Sequence, residues 1–179
     1  LQQVLCGFTK TDSGDFLQIP STRIKELLAT LEEVEGKCII WANYQYDIRT
    51  IEAEIAKAYT PSSVASYYGQ TPANDRPMIV DAFQDPASEL RFFVGQPRTG
   101  GFGLTLTAAN TVIYYSNSYD LETRLQSEDR AHRIGQTNKV TYIDFYAPKT
   151  VDEKILKSLR SKINLATQVL GEDYREWLL

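Results

Sequence analysis

The stretch DLETRLQSEDRAHRIGQ, residues 120–136, is the most informative part of the sequence. Its residues favour a helix, and Gly135 stands where such a helix commonly ends. Four polar side chains recur at helical spacing and are predicted to share one face. They are Gln126, Asp129, Arg130 and Arg133. A second face, predicted to be buried, carries Leu121, Leu125 and His132.

Two arginines one turn apart suit an anionic ligand. An arginine presents a rigid fork of donors that fits phosphate, so the forks of Arg130 and Arg133 together match one triphosphate tail. The simpler interpretation is a solvated helix face on which Asp129 bridges to Arg133 one turn later. For an arbitrary charged helix, this simpler interpretation is the favoured one.

A longer pattern changes that balance. Residues 126–136, QSEDRAHRIGQ, are similar almost letter for letter to the last helicase motif of the Swi/Snf-type ATPases of helicase superfamily two. In that family the motif supplies arginine fingers to an ATP held by the other lobe of the motor. The resemblance implies that Arg130 and Arg133 are catalytic. It also implies that Gln126 and Asp129 belong to the ATP site and hold the arginines in place.

A glycine-rich stretch, QPRTGGFGLTLT at residues 96–107, directly follows a predicted strand. Its glycines permit close approach of the backbone and positive φ angles, and exposed amides in such a loop form an anion-binding concavity. The stretch resembles the fifth helicase motif of the same family. The roles that this resemblance implies are phosphate contact by Arg98 and Thr99, close approach of DNA at Gly100 and Gly101, and a place near the nucleotide for Gly103.

A third resemblance covers residues 37–43, similar to the fourth helicase motif, and the loop of residues 68–71 that comes after it. In the family this loop touches one strand of duplex DNA, which implies that Gln70 and Thr71 contact phosphate. The alternative is a plain loop closed by Pro72, in which Thr71 caps the next helix. Both interpretations stay open at this point.

Apolar runs alternate with helical periodicities through most of the chain. Strands are predicted at residues 37–42, 63–68, 90–94, 111–115 and 140–145, and helices at 21–35, 44–58, 72–83, 120–136 and 151–170. This alternation predicts an α/β fold with a mostly parallel sheet covered on both faces, a three-layer α/β/α domain. The resemblance implies a RecA-like helicase C-terminal lobe over residues 20–170. Residues 1–19 are predicted to be an irregular linker packed on the lobe, and residues 171–179 a short terminal helix.

Composition sets broader limits. A chain of 179 residues with 42% hydrophobic residues suits one globular domain or a lobe of something larger. A net charge of −4 does not indicate nucleic-acid binding, nor does it exclude it, because phosphate contact needs only a local cluster. Cys6 and Cys38 lack metal-site spacing and suggest a reducing compartment inside the cell, cytoplasm or nucleus. No metal ligands and no membrane span are predicted.

The sequence lacks the phosphate loop Gly-x-x-x-x-Gly-Lys-Ser/Thr and the Asp-Glu-x-His pattern. In superfamily-two motors those parts lie on the first lobe, so this chain resembles the second lobe alone. The resemblance implies that ATP and Mg²⁺ are held mainly by the first lobe, that duplex DNA backbone is the other partner, and that the isolated lobe is inactive. The alternatives are a nucleotide-free protein-interaction module and a lobe of an RNA helicase. RNA helicases usually end the motif with Arg-x-Gly-Arg, whereas residues 133–136 read RIGQ.

Overall fold

The structure, a computed structural model, describes residues 1–99 and 103–170. Its helices are α1 (Gln2–Cys6), α2 (Arg23–Glu33), α3 (Gln45–Ala58), α4 (Asp75–Gln84), α5 (Leu121–Asp129) and α6 (Val151–Leu170). Its strands are β1 (Phe8–Lys10), β2 (Phe16–Gln18), β3 (Lys37–Trp41), β4 (Val64–Tyr67), β5 (Phe92–Gly95), β6 (Ala109–Tyr114) and β7 (Thr141–Asp144). One short 3-10 helix, Pro61–Ser63, leads into β4.

The main sheet has five strands in the order β4-β5-β3-β6-β7, and all four pairings are parallel. The central strand β3 is buried on both faces. Ile40 packs with Ile48, Ile51 and Ile55 of α3 on one face, whereas Ile39 and Trp41 pack with Phe83 of α4 on the other. A strand buried on both faces is typical of a parallel sheet covered by helices. The predicted three-layer α/β/α architecture is therefore confirmed.

Parallel strands bring their carboxyl ends to one edge of the sheet, where ligands of α/β folds bind. The loops at this edge include residues 42–44 after β3, residues 68–72 after β4, residues 96–99 after β5 and residues 115–120 after β6. Both DNA-contacting loops inferred by resemblance therefore lie at the ligand-binding edge. The described part of the loop after β5 ends at Thr99 and resumes at Gly103, so Gly100 and Gly101 lie outside the described residues.

Helix α5 is shorter than predicted. It begins at Leu121, where the Asp120 carboxylate accepts from the Thr123 amide, and it ends at Asp129 instead of Gly135. The Arg130 carbonyl accepts from the amide of Leu106 at 2.9 Å, which takes it away from the helical ladder. His132 consequently lies in the turn beyond the helix and is exposed, so its predicted place on the buried face is wrong; Leu125 is buried as predicted.

Residues 1–19 are more regular than predicted. They form α1 and an antiparallel pair, β1 and β2, joined by a turn at residues 11–15. Cys6 and Phe8 belong to the main hydrophobic core, and the Phe8 ring packs against Tyr44 and Tyr46 at the start of α3. The segment is thus part of the lobe's packing. Among the helices in the described ranges, none combines the length and apolar character needed to cross a bilayer.

Candidate functional site

Arg130 and Arg133 point to the same place. The Arg130 Nη1 lies 3.4 Å from the Leu104 carbonyl oxygen, and the Arg133 Nη1 lies 3.5 Å from the same oxygen and 3.3 Å from the Thr105 hydroxyl. Both guanidinium groups therefore converge on the segment that follows the glycine-rich loop. The ion pairs found among the described residues do not include an Asp129–Arg133 bridge, because α5 ends before Arg133 can sit one turn above Asp129.

The electrostatics of this pair favour an anion. Arg130 is buried and Arg133 is exposed. Burial lowers the pKa of the Arg130 guanidinium, and the charge of Arg133 lowers it further, whereas the Asp129 carboxylate acts in the opposite direction. Two like charges held side by side, one of them partly removed from water, are stabilised when a negative charge lies near both.

The turn that carries the arginines is joined to the chain leading into β6. The Gln136 side-chain amide lies 3.0 Å from the Thr107 carbonyl, 2.9 Å from that of Ala109 and 3.1 Å from that of Ala131. Together with the Leu106–Arg130 backbone bond, it fixes residues 130–136 against residues 104–109. Sequence reasoning missed this role of Gln136, although its place at the end of the last helicase motif was visible.

The other residues inferred for the ATP site lie close by. Asp129 is half-buried beside Arg130, and the Gln126 amide donates to the Glu122 carboxylate at 3.1 Å, one turn earlier on α5. Gly103 has φ +78°, which favours glycine, and a Cβ there would meet open space. Glycine is therefore required by the backbone conformation at this position and not by close packing. The roles of Gln126, Asp129 and Gly103 toward ATP stay predictions.

Arg124, which sequence reasoning missed, anchors α5. Its side chain is only 10% exposed; its Nε donates to Glu128 at 2.7 Å, and its Nη1 donates to Asn117 at 2.8 Å and to Asp144. The guanidinium also lies over the Tyr114 ring, 3.5 Å from the centroid. The i+4 spacing to Glu128 was a sequence signal, but nothing in the sequence pointed to Asp144 at the end of β7. Through these contacts Arg124 fixes the helix that leads to Arg130.

The loop after β5 presents one exposed cation. Arg98 is exposed, and its Nη2 lies 3.6 Å from the carboxylate of Asp120, the residue that caps α5. The Thr99 hydroxyl donates to the Gln96 side-chain oxygen at 3.2 Å, and the Gln96 amide donates to the Asn43 carbonyl at 3.0 Å. The loop is thus tied to the ends of β3 and β6, with Arg98 facing solvent.

In the loop after β4, the two residues inferred to contact phosphate, Gln70 and Thr71, have different environments. Thr71 is buried, and its hydroxyl accepts from the Tyr68 amide at 3.0 Å and donates to the Ser66 carbonyl at 3.1 Å. Its hydroxyl therefore closes the loop and is not presented to a phosphate, and the proposal that it caps α4 is wrong because the cap position is Asn74. Gln70 is the exposed member of the pair.

The structure places the candidates in two groups. Arg130 and Arg133 lie with Leu104 beyond the carboxyl end of α5, whereas Arg98 contacts Asp120 at the amino end of the same helix. A helix of nine residues is about 13 Å long at 1.5 Å per residue. The nucleotide and nucleic-acid candidates are therefore separate surfaces connected by α5.

A five-stranded parallel sheet covered by helices, with polar loops at its carboxyl edge, is the architecture of a RecA-like lobe. The turn that carries the two arginines lies apart from these loops, beyond the carboxyl end of α5. The model of the helicase conserved C-terminal domain matches residues 21–135. The chain belongs to this family, as a C-terminal helicase domain of the Swi/Snf type. This agrees with the family inferred from residues 126–136.

Relatives and a solved structure support the same assignment. The chain is 38% identical over 102 residues to the chromatin structure-remodeling complex subunit snf21 of Schizosaccharomyces pombe, a match that covers 57% of this chain and 8% of that protein. It is 29% identical over 149 residues to a probable chromatin-remodeling complex ATPase chain of Oryza sativa subsp. japonica, covering 83% of this chain and 13% of that protein. The crystal structure of the C-terminal part of the Fun30 ATPase domain superposes with a TM-score of 0.70 at 26% identity, covering 76% of this chain and 44% of that one. The chain thus spans a small fraction of the length of these two curated relatives.

Proposed function

We propose that this chain is the second lobe of an ATP-driven motor that moves on duplex DNA, and that Arg130 and Arg133 are its arginine fingers. The observation that carries the proposal is the convergence of both guanidinium groups on the Leu104 carbonyl. Two arginines whose guanidinium groups lie near the same backbone oxygen are close enough together to contact one phosphoryl group. The relatives that are chromatin-remodeling proteins support a motor of this type.

The chemistry follows from charge. ATP and Mg²⁺ are held mainly by the first lobe, and Mg²⁺ supplies charge neutralisation at the phosphates when bound. Closure of the lobes brings Arg130 and Arg133 to the transferring phosphoryl group, where they offset the charge that develops in the transition state. Asp129 and Gln126 keep the arginine turn in position, and the left-handed backbone at Gly103 shapes the adjoining chain.

DNA binds at the other end of α5. Arg98, Thr99 and Gln70 contact phosphate at the carboxyl edge of the sheet, and Gly100 and Gly101 let the backbone of the DNA approach. Contacts to phosphate and sugar carry no sequence information, so the motor binds DNA without sequence preference. The Arg98–Asp120 contact joins the DNA surface to α5, and closure of the lobe shifts both surfaces together.

The test is the duplex-stimulated ATPase activity of the full-length protein. Arg130→Ala should lower turnover about a thousandfold or more, the loss expected for an arginine finger. Because Arg130 is buried, Arg133→Ala is the second variant: its side chain is exposed, so its loss leaves the fold intact. Arg160→Ala, an exposed arginine on α6, is the matched control and should retain wild-type turnover.

Circular dichroism and thermal unfolding establish that the variants are folded. Near-normal turnover in both Arg130→Ala and Arg133→Ala would contradict the finger role and favour a protein-interaction module. Stimulation by single-stranded RNA in preference to duplex DNA would instead favour the RNA-helicase alternative.

A further inference from the structure

An arginine outside the helicase motifs holds the exposed residue of the loop after β4. Arg49 lies on α3 and is exposed. Its Nε donates to the Tyr68 hydroxyl at 3.3 Å, and its Nη2 donates to the side-chain oxygen of Gln70. The loop at the carboxyl edge of the sheet is therefore held from the outside by a cation that nothing in the sequence pattern had singled out.

The same loop is braced from the inside by a second arginine. The Arg76 Nε donates to the Thr71 carbonyl at 3.1 Å, its Nη2 lies 3.4 Å from the Tyr68 carbonyl, and its guanidinium lies over the Tyr67 ring. With the Thr71 hydroxyl closing the turn, the loop backbone is fixed before any ligand arrives. A preorganised loop loses little conformational freedom on binding.

The polarity of the Gln70 amide follows from the Arg49 contact. Because its oxygen accepts from Arg49, the NH₂ group is the part of Gln70 left to meet a ligand, and it can only donate. The Arg49 guanidinium also keeps donors beyond the two that it uses here. Within the described part of the chain, Arg49 takes part in no ion pair, so its charge is not offset by a carboxylate. Donors and positive charge without an acceptor suit a phosphate.

We propose that Arg49 and Gln70 form one phosphate clamp on the DNA backbone, in which Arg49 orients the Gln70 amide and shares the phosphate with it. The clamp rests on the proposed function, because it takes duplex DNA as the ligand of this edge. The clamp would give the DNA backbone a contact from α3 in addition to the contacts proposed for the loop after β5.

Salt-dependent binding of fluorescent duplex DNA to the full-length protein tests the clamp. Arg49→Ala should weaken binding about three- to tenfold and reduce the slope of log K against log salt by about 1, as loss of one phosphate contact does. The DNA concentration for half-maximal ATPase stimulation should rise by a similar factor, while turnover at saturating DNA changes less than about twofold.

Three further variants separate orientation from charge. Arg49→Lys should retain the salt slope but not the affinity, because an ammonium lacks the fork that holds Gln70. Gln70→Ala should weaken DNA binding much less in the Arg49→Ala background than in the wild type, because the two residues act as a unit. Lys57→Ala removes an exposed charge from the far end of α3 and should bind DNA as the wild type does.

Two results overturn the clamp and leave the proposed function standing, provided that the wild type binds duplex DNA and Arg130→Ala abolishes turnover. In the first, Arg49→Ala binds DNA as tightly as Lys57→Ala. In the second, the losses of binding free energy in Arg49→Ala and Gln70→Ala are fully additive. If the wild-type protein itself does not bind duplex DNA, the proposed function fails and the clamp fails with it. Inhibition of turnover by an acidic protein, with DNA binding unaffected by Arg49→Ala, would assign the surface to a protein partner instead.

Discussion

At the residue scale, the most unusual group is the buried carboxyl of Asp47 on α3, which is 2% exposed. The Cys6 thiol forms a hydrogen bond with it, but among the described residues the Asp47 Oδ2 has no hydrogen-bond partner. Burial raises the pKa of Asp47 to about 7, and the Cys6 bond and the Arg23 charge act in the opposite direction. Asp47 is therefore protonated in the folded chain at pH values where it is ionised in the unfolded chain.

This difference predicts a pH dependence of stability. Between pH 3.8, the usual pKa of the group, and about pH 7, the folded state holds a proton that the unfolded state has lost. The contribution of Asp47 to the free energy of unfolding should thus be fully present below the lower value. It should decrease as the pH rises to about 7, by on the order of 4 kcal/mol. Urea denaturation at a series of pH values measures the change.

The variant Asp47→Asn removes the titrating group and should be more stable than the wild type at pH 8, with a flatter profile. Asp81→Asn, which changes an exposed carboxylate on α4, is the control and should keep the wild-type profile. The groups whose charges or hydrogen bonds couple to Asp47 are Cys6, Arg23, Tyr44 and Tyr115. A wild-type profile for Asp47→Asn would show that Asp47 does not titrate in this range.

At the scale of single elements, α5 depends on one buried cation. Arg124→Met removes the cation that pairs with the Asp144 and Glu128 carboxylates, where solvent access is limited. Breaking one side of such a buried network should lower the free energy of unfolding by about 3 kcal/mol. Chemical denaturation of the 179-residue chain measures this loss.

The exposed Glu153–Lys157 pair on α6 provides the matched comparison. The Lys157 side chain is 74% exposed, and Lys157→Met should lower the free energy of unfolding much less than Arg124→Met does, because solvent screens the pair. Equal losses in the two variants would mean that Arg124 does not anchor α5. The additional variant Asp144→Asn should lower the free energy of unfolding less in the Arg124→Met background than in the wild type.

The same helix shows what the sequence determines and what it leaves open. Periodicity correctly predicted the kind and order of the main elements, because burial on one helix face or two sheet faces imposes a local pattern. It placed the end of α5 too late, since the Leu106–Arg130 bond that ends the helix joins residues far apart in the sequence. Helical spacing placed Arg130 and Arg133 near each other, but both lie beyond the end of α5, and nothing in the sequence indicated their common contact with the Leu104 carbonyl.

The prediction that the amino-terminal segment is irregular was wrong for a related reason. Its hydrophobic residues lack a clear period, so residues 1–19 read as irregular. The Phe8 ring is nevertheless buried against Tyr44 and Tyr46, side chains whose proximity depends on the completed fold. The Arg49 contact with Gln70 is of the same kind, because it joins α3 to the loop after β4.

At the scale of the whole molecule, the fold separates the surface proposed to bind DNA from the one proposed to contact ATP. The carboxyl edge of the sheet presents Arg98, Gln70 and Arg49, and the far end of α5 presents the paired arginines. A closing movement of the lobe as a rigid body therefore changes both surfaces at once, without a change in the secondary structure. This arrangement suits a motor in which phosphoryl transfer and a step along DNA are linked through one domain.

The last prediction follows from this division. The 179-residue chain has the arginine turn but no phosphate loop of the Walker type, so alone it should release no phosphate from ATP above background, with or without duplex DNA. Joined to its first lobe in the full-length protein, it should support DNA-stimulated turnover that depends on Arg130. Phosphate release by matched amounts of the two proteins is the measurement. Turnover by the isolated chain that Arg130→Ala abolishes would show that this lobe holds ATP by itself, and the fingers would then act within one domain instead of between two.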